Sequence, residues 1–213
     1  MVKVLGIDEA GRGPVFGPLV MVGFLIDEKK VKTLKEIGVK DSKLLTPHKR
    51  EELIDQLEDM GEIFIRVIEP HQIDGFNLNR LEKIATRDII LEARPDHAII
   101  DAFEKRLEEK LALSANGYTG KVTAEHKADL NYEVVGAASI VAKVMRDREI
   151  EKLKENYGDF GSGYPSDPKT AKFVKEMIHN KETLPSFVRK SWDTIRRITE
   201  KEAQVNLEGF LGP

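Results

Sequence analysis

The chain begins with short apolar runs of the length of buried strands. Residues 2–7 (VKVLGI) end at an acidic pair, and residues 18–26 (PLVMVGFLI) are rich in β-formers and follow a turn containing glycine and proline. This pattern predicts a β-hairpin. Residues 62–68 (EIFIRVI) alternate and predict a third strand, and two shorter segments, 98–100 and 121–124, predict a fourth and a fifth.

Helical patterns alternate with the later strands. Thr46-Pro47 combines a capping hydroxyl with proline at the first helical position, which predicts a helix to about Met60. Residues 79–93 predict a second helix, and residues 133–157 a long one with an apolar first half and a charged second half. This order of elements predicts an α/β fold whose mixed sheet begins in antiparallel strands.

The C-terminal part has a different character. A loop rich in glycine and proline (GDFGSGYPSDP) follows Gly158, and two further helices are predicted over about 168–180 and 187–203. We therefore predict a main domain over residues 1–167, a small helical extension over 168–203 and a tail over 204–213, where two glycines and a proline interrupt the helical pattern.

Composition excludes several classes of protein. The 213 residues include no cysteine, which excludes a disulfide scaffold, a thiol nucleophile and cysteine-based zinc or iron–sulfur sites. No apolar run reaches the roughly 18 residues that span a bilayer, and the start of the chain lacks the pattern of a signal peptide. We expect a cytoplasmic protein of one domain, or of one domain with an appendage.

Charge is unevenly distributed. The net charge is −3, but residues 143–201 carry a net +4 and residues 1–142 a net −5. A basic C-terminal third on an acidic body is typical of a protein that meets phosphate groups on one face. An ordinary scatter of solvated charges explains the same numbers equally well.

Carboxylates follow three of the predicted strands: Asp8-Glu9, Asp101 and Asp129. Oxygen ligands at strand ends are what hard cations such as Mg²⁺ require, and hydrolases that use two metal ions need several of them. Such acids also serve commonly as turn formers or helix caps. Neighbouring strand residues point to opposite faces, so Glu9 must lie beyond the strand end or act mainly through a reoriented backbone.

A glycine-rich turn follows the first acidic pair. Gly11-Arg12-Gly13-Pro14 begins like a dinucleotide-binding loop, but the spacing to Gly17 is one residue too long and no helix follows. Two glycines around an arginine favour close approach of the backbone to a substrate, with Arg12 as an anion contact. A plain hairpin turn is the alternative.

Five motifs in order resemble the type 2 ribonuclease H family, and among its members the single-chain archaeal ribonuclease HII. They are DEAGRGP (8–14), DSK (41–43), EHKAD (125–129), AASIVAK (137–143) and GSGYPSDP (161–168). The resemblance covers roughly residues 4–195. It implies a ribonuclease-H-like fold with a mixed five-stranded sheet flanked by helices, plus a small C-terminal helical extension.

The resemblance also implies an activity. Enzymes of this family hydrolyse the RNA strand of RNA–DNA hybrids and cut 5′ to single ribonucleotides embedded in duplex DNA, leaving 3′-hydroxyl and 5′-phosphate ends. By motif, the catalytic residues and ligands of two Mg²⁺ or Mn²⁺ ions are expected to be Asp8, Glu9, Asp101 and Asp129. The block around Asp101 is the shortest of these matches.

Substrate contacts carry over in the same way. The turn of Gly11, Arg12 and Gly13 is expected to meet the ribose 2′-hydroxyl through backbone groups, and Tyr164 to stack on the following nucleotide; a buried core tyrosine is the alternative. We expect phosphate contacts at Lys43, Ser139, Lys143 and Arg146, and DNA-backbone contacts at Arg189 and Lys190 on the predicted C-terminal helices. The last two could equally belong to the solvated face of a helix.

The end of the chain resembles a peptide that binds the sliding clamp PCNA. Gln204, Leu207 and Phe210 match the pattern Gln-x-x-aliphatic-x-x-aromatic-aromatic, whereas Leu211 departs from its last position. Side chains one helical turn apart form a compact apolar plug. Packing of these side chains on the enzyme's own core is the alternative.

Two rival functions remain. A non-catalytic nucleic-acid-binding protein of the same fold gains nothing from clustered negative charge near phosphate unless metal neutralises it. A phosphohydrolase of small molecules leaves the Tyr164 loop and the basic C-terminal segment unexplained. We expect a monomeric nuclease without membrane contact.

Overall fold

A computed structural model describes residues 1–39, 45–180 and 183–210, with backbone alone over 202–210. Its strands are β1 (Lys3–Ala10), β2 (Leu19–Asp27), β3 (Glu62–Ile68), β4 (His97–Asp101) and β5 (Lys121–Glu125). Its helices are α1 (Val31–Glu36), α2 (Pro47–Met60), α3 (Pro70–Gly75), α4 (Leu78–Ala93), α5 (Leu107–Lys110), α6 (Ala128–Asn131), α7 (Glu133–Tyr157), α8 (Pro168–His179) and α9 (Asp193–Phe210). Over these ranges, no helix is long and apolar enough to cross a membrane.

The sheet has the strand order β3-β2-β1-β4-β5. The first three strands form an antiparallel meander, whereas β4 and β5 run parallel to β1. This confirms the predicted α/β class and the mixed five-stranded sheet. The parallel strands β1, β4 and β5 are neighbours, so their carboxyl ends lie at the same edge of the sheet.

Local signals determine several helix boundaries. The Thr46 hydroxyl accepts a hydrogen bond from the Lys49 amide at 3.2 Å, and Pro47 occupies the first turn of α2. Both features stabilise a helix start because they satisfy or remove an amide that has no intrahelical partner. The predicted helices over 46–60, 79–93 and 133–157 are confirmed to within a residue.

The chain divides by its contacts into two compact units, which we call unit 1 and unit 2. Unit 1 comprises residues 1–10, 19–68 and 78–146, and unit 2 comprises residues 11–18, 69–77 and 147 onward. This differs from the predicted boundary at residue 167. The second half of α7 belongs with the C-terminal helices because Ile150 shares their apolar core.

In unit 1, the apolar first half of α7 packs against the sheet. Val134, Val135, Ala138 and Val141 are buried in the same core as the strands. A Cβ built on Gly6 of β1 would lie 2.2 Å from the Val134 carbonyl oxygen, so only glycine lets the start of α7 approach β1 so closely.

In unit 2, aromatic rings surround Phe16. The ring centroids of Phe160 and Phe187 lie 5.2 and 5.3 Å from that of Phe16, both nearly perpendicular to it. Val188 pairs with Phe16 as an isolated β-bridge. This extended pairing explains why α9 begins at Asp193 and not at residue 187 as predicted. The helix also continues to Phe210, into the predicted tail.

Candidate active site

Acidic side chains meet where the parallel pairing of β1 with β4 ends. Ile7 and Ile100 are the last pair of residues in register between β1 and β4. Asp8 and Asp101 directly follow them. Residues in register on parallel strands face the same side of a sheet, so these two carboxylates are neighbours. Asp8 is buried, with 6% of its surface exposed.

Glu9 lies within β1, where it pairs with Met21 of β2. The expectation that Glu9 lies beyond the strand end is therefore wrong, because β1 continues to Ala10 through its pairing with β2. Its backbone amide donates a hydrogen bond of 2.8 Å to Oδ1 of Asp8. The Glu9 backbone thus contacts the neighbouring carboxylate from within a regular strand, and its role as a metal ligand stays a prediction.

Asp101 and Asp129 are held by the turn that follows β5. Oδ1 of Asp101 accepts hydrogen bonds from the amides of Lys127 (2.7 Å) and Ala128 (3.2 Å). Lys127 adopts a left-handed conformation with φ of 62°, which directs both amides toward the carboxylate. Asp129 follows in the first turn of α6 and is buried.

Two hydrogen-bonded polar side chains of α7 extend to Asp8. The Ser139 hydroxyl hydrogen-bonds to the Asp8 carboxylate and accepts a hydrogen bond of 2.9 Å from the Lys143 ammonium group. Ser139 and Lys143 stand four residues apart, on the same face of the helix. The sequence AASIVAK thereby places one hydroxyl and one cation beside the first catalytic candidate.

Burial and nearby negative charge raise the pKa values of two of these carboxyl groups, Asp8 and Asp101. Burial and the nearby Asp101 charge raise the pKa of Asp8 to about 7. The hydrogen bond from Ser139 and the charge of Lys143 lower this pKa and offset the rise only in part. Burial also raises the pKa of Asp101, and the charge of Asp129 adds to this rise. The charge of Asp101 thus disfavours ionisation of Asp8, and the charge of Asp129 disfavours ionisation of Asp101.

The raised pKa of Asp8 predicts a pH-dependent cost in stability. Between about pH 4 and 7 the folded state retains a proton that the unfolded state has lost, so stability falls as pH rises through this interval. Asp8→Asn is expected to raise the thermal midpoint in EDTA by several degrees more at pH 8 than at pH 5. Asp55→Asn, at an exposed position of α2, is the matched control. Equal gains at both pH values would contradict the prediction.

The carboxylates suit a hard divalent cation by donor type, since all are oxygen ligands and a cation would relieve their repulsion. They do not form a closed cluster: among the residues that the structure describes, no three Asp, Glu or His side chains are arranged to hold a metal ion. The predicted ligand set Asp8, Glu9, Asp101 and Asp129 therefore stays a prediction.

A second group of predicted residues comes together in unit 2. The ring of Tyr164 lies against Gly13, where a built Cβ would be 3.5 Å from the ring atom Cε1. The Val15 amide donates to the Gly163 carbonyl at 2.8 Å and joins the two segments. Tyr164 is 39% exposed, which excludes the alternative of a buried core tyrosine.

The loop that carries Tyr164 is shaped by its own polar side chains. Asp167 caps α8 through the Lys169 amide (2.9 Å) and also accepts from the Ser162 amide (2.7 Å). These hydrogen bonds lower the pKa of Asp167. The Thr170 hydroxyl accepts a hydrogen bond from the Gly163 amide at 3.0 Å, so the loop that contains Gly-Tyr-Pro is held in a defined conformation.

Comparison with known proteins decides the family. The profile described as Ribonuclease HII matches residues 5–195. The chain is 46% identical to ribonuclease HII of Pyrococcus abyssi over 98% of this chain and 97% of the relative. The chain belongs to the ribonuclease HII family. It is a type 2 ribonuclease H, a hydrolase that cleaves the RNA strand of RNA–DNA hybrids, and the ribonuclease H family depends on divalent metal ions.

Solved structures agree with the fold. The crystal structure of ribonuclease H2 from Pyrococcus horikoshii OT3 is similar with a TM-score of 0.84 and 44% identity, covering 95% of this chain and all of that chain. The PCNA:RNase HII complex from Archaeoglobus fulgidus is similar with a TM-score of 0.83 and 41% identity, covering 90% and 96% respectively. The ribonuclease-H-like fold predicted from the motifs is confirmed.

The structure changes the roles of three predicted ribonuclease HII contacts. Ser139 and Arg146 are 1% and 5% exposed, so neither is a surface phosphate contact, and the Ser139 hydroxyl proton already serves Asp8. Arg189 is completely buried and donates to carbonyl groups, so it does not contact DNA phosphate. Lys190 is exposed but precedes α9, and its contact stays a prediction. Lys43 and Leu211 lie outside the described residues, as do the side chains of Gln204, Leu207 and Phe210.

Sequence reasoning missed Trp192. Its indole nitrogen donates to the Gly13 carbonyl at 3.3 Å, and its ring lies 5.1 Å from the guanidinium carbon of Arg189. The available signal was its uniqueness, because this is the single tryptophan of the chain and follows Arg189-Lys190 closely.

Proposed function

We propose that this ribonuclease HII cuts 5′ to single ribonucleotides in duplex DNA as well as within RNA–DNA hybrids, leaving 3′-hydroxyl and 5′-phosphate ends. Three carboxylates carry this proposal: Asp8 and Asp101, which lie where the parallel pairing of β1 and β4 ends, and Asp129, which follows β5 in the first turn of α6. Water adds to the scissile phosphorus, the bond from phosphorus to the preceding 3′-oxygen breaks, and that oxygen takes up a proton.

Asp8, Glu9, Asp101 and Asp129 would hold two Mg²⁺ or Mn²⁺ ions, which supply Lewis-acid activation of water and stabilisation of the leaving oxygen. The amides of Lys127 and Ala128 orient Asp101. Ser139 and Lys143 favour the ionised form of Asp8, since their hydrogen bond and charge lower its pKa against the larger effect of burial. Lys143, which is only partly buried, would be the phosphate contact of the α7 motif.

The turn of unit 2 would read the ribonucleotide. A 2′-hydroxyl is the feature that distinguishes a lone ribonucleotide in DNA, and backbone groups of Gly11, Arg12 and Gly13 can approach it because two of these residues have no side chain. The Tyr164 ring lies against Gly13 and is exposed, so it can stack on the neighbouring deoxynucleotide. Contact between ring and glycine within one unit supports a shared role.

One assay tests the proposal and its rivals. A duplex that contains a single ribonucleotide is incubated with and without Mg²⁺, and the product ends are analysed. Cleavage 5′ to the ribonucleotide that requires metal is expected. Binding without cleavage would favour the non-catalytic rival, and hydrolysis of small phosphoesters alone would favour the phosphohydrolase.

Removal of the aromatic ring should affect junction substrates selectively. Tyr164→Ala is expected to reduce cleavage at a single ribonucleotide by about tenfold or more, because stacking on a base is worth roughly 1–3 kcal/mol. Cleavage within a long hybrid should fall less. Tyr164→Phe retains the ring and serves as the control. Equal losses of kcat/KM on both substrates would show that the tyrosine has no junction-specific role.

The last residues would tether the enzyme to the sliding clamp. The PCNA complex of the related Archaeoglobus fulgidus protein supports this proposal. Gln204, Leu207 and Phe210 provide the spacing of a clamp-binding peptide, with Leu211 in place of the second aromatic residue. Burial of the three apolar side chains, Leu207, Phe210 and Leu211, would contribute roughly 1.5–3 kcal/mol each. After the cost of ordering the segment, this is enough for a transient contact of micromolar affinity.

A further inference from the structure

Arg189 donates hydrogen bonds to both ends of the glycine-rich turn. Its Nε donates to the Gly17 carbonyl at 3.0 Å, its Nη1 to that of Arg12 at 3.3 Å and its Nη2 to that of Gly11 at 2.6 Å. The side chain is 0% exposed, and all these residues belong to unit 2. A planar guanidinium has the fixed donor geometry that holds several acceptors at once.

Trp192 extends this arrangement to the third residue of the turn. Its indole nitrogen donates to the Gly13 carbonyl at 3.3 Å, and its ring lies beside the guanidinium group of Arg189. Together the two side chains therefore bind the carbonyls of Gly11, Arg12, Gly13 and Gly17. We call this arrangement the carbonyl clamp.

The turn needs such a clamp because its own residues are permissive. Gly11 and Gly17 have positive φ angles of 93° and 79°, a region that glycine enters freely but does not prefer over others. Without external restraints the backbone between them would sample many conformations. Hydrogen bonds to carbonyls at both ends select one of them before any ligand arrives.

We propose that Arg189 and Trp192 are positioning residues that set the backbone of Gly11, Arg12 and Gly13 for recognition of the ribose. This inference rests on the proposed role of the turn in reading the 2′-hydroxyl. Arg189 acts through its three directional donors rather than through its charge. A lysine at this position keeps the charge but cannot reproduce the fork of donors.

The preference of the enzyme for a ribonucleotide is measured as a ratio of two binding affinities. Affinities for a duplex with one ribonucleotide and for the same all-DNA duplex are measured by fluorescence anisotropy, in an Asp101→Asn background that prevents cleavage. Arg189→Lys is expected to reduce the ratio of the two affinities by about tenfold. Trp192→Phe removes one neutral hydrogen bond while retaining a ring, and about a threefold reduction is expected.

A destabilised control separates positioning from general stability. Val174 is buried in the core of unit 2 and has no part in the clamp. Val174→Ala should lower the thermal midpoint but leave the affinity ratio unchanged. If Arg189→Lys does not fold, Trp192→Phe decides the question alone.

Three results would overturn parts of this account. If the parent clearly prefers ribose and the affinity ratio is unchanged in folded Arg189→Lys and Trp192→Phe, the inference about the carbonyl clamp alone is overturned. An equal loss of the ratio in Val174→Ala also overturns it, since the effect would then be one of stability. Absence of ribose preference in the parent overturns the proposed role of the turn itself, and the clamp inference with it.

Discussion

Asp101→Asn is expected to abolish hydrolysis of both a hybrid and a single-ribonucleotide duplex, by at least about a thousandfold in kcat. A neutral amide is a much poorer ligand for a hard cation than a carboxylate, and Lewis-acid stabilisation is worth several kcal/mol, with each 1.36 kcal/mol equal to tenfold. The Asn side chain retains an oxygen that can accept the hydrogen bonds that Lys127 and Ala128 donate to Asp101, so the fold should persist.

The same variant should be more stable than the wild type in metal-free buffer. Burial and the charge of Asp129 raise the pKa of Asp101, so loss of its charge removes a repulsion. Asp88→Asn, at a half-exposed position beside Arg87, is the control and should leave both activity and melting temperature unchanged. Full activity of purified Asp101→Asn would show that this residue is not a metal ligand.

Deletion of residues 204–213 is expected to abolish binding to the cognate sliding clamp, while cleavage of short duplexes continues at the wild-type rate. The full chain should bind with micromolar affinity in a calorimetric titration, because a few apolar side chains supply the contact and ordering the segment offsets part of it. The deletion should give no binding heat.

Single substitutions refine this test, since deletion also shortens α9. Phe210→Ala removes the aromatic residue of the motif and should weaken clamp binding strongly. Asn206→Ala changes a position that the motif leaves unspecified and should bind as the wild type does. Clamp affinity that survives the deletion would show that the contact lies elsewhere on the chain.

The site was predictable where it depends on chain order and on local pattern. Apolar runs that end at Asp8 and Asp101 indicate strands, and parallel neighbours bring such ends to one edge. The capping pair Thr46-Pro47 predicts its helix start because every contact involved lies within one turn. The AASIVAK motif places Ser139 and Lys143 four residues apart, so their shared helix face follows from helix geometry alone.

Errors arose where one strand pairs differently on its two sides. β1 stops pairing with β4 at Ile7 but continues beside β2 to Ala10. The apolar pattern of β1 ends where the strand stops being buried between two neighbouring strands. The pattern does not show that pairing continues with one neighbour, β2. Glu9 was therefore expected beyond a strand in which it lies.

By itself, the sequence determined the α/β class, most element boundaries and the family, because these follow from periodicity, capping and contiguous motifs. Only the tertiary structure decided the role of Arg189. Arginine is usually exposed, so sequence reasoning placed it on DNA, whereas its acceptors are carbonyls up to 178 positions away. A backbone carbonyl has no sequence signature, since every residue carries one, and only the packed fold shows which carbonyls a distant guanidinium group meets.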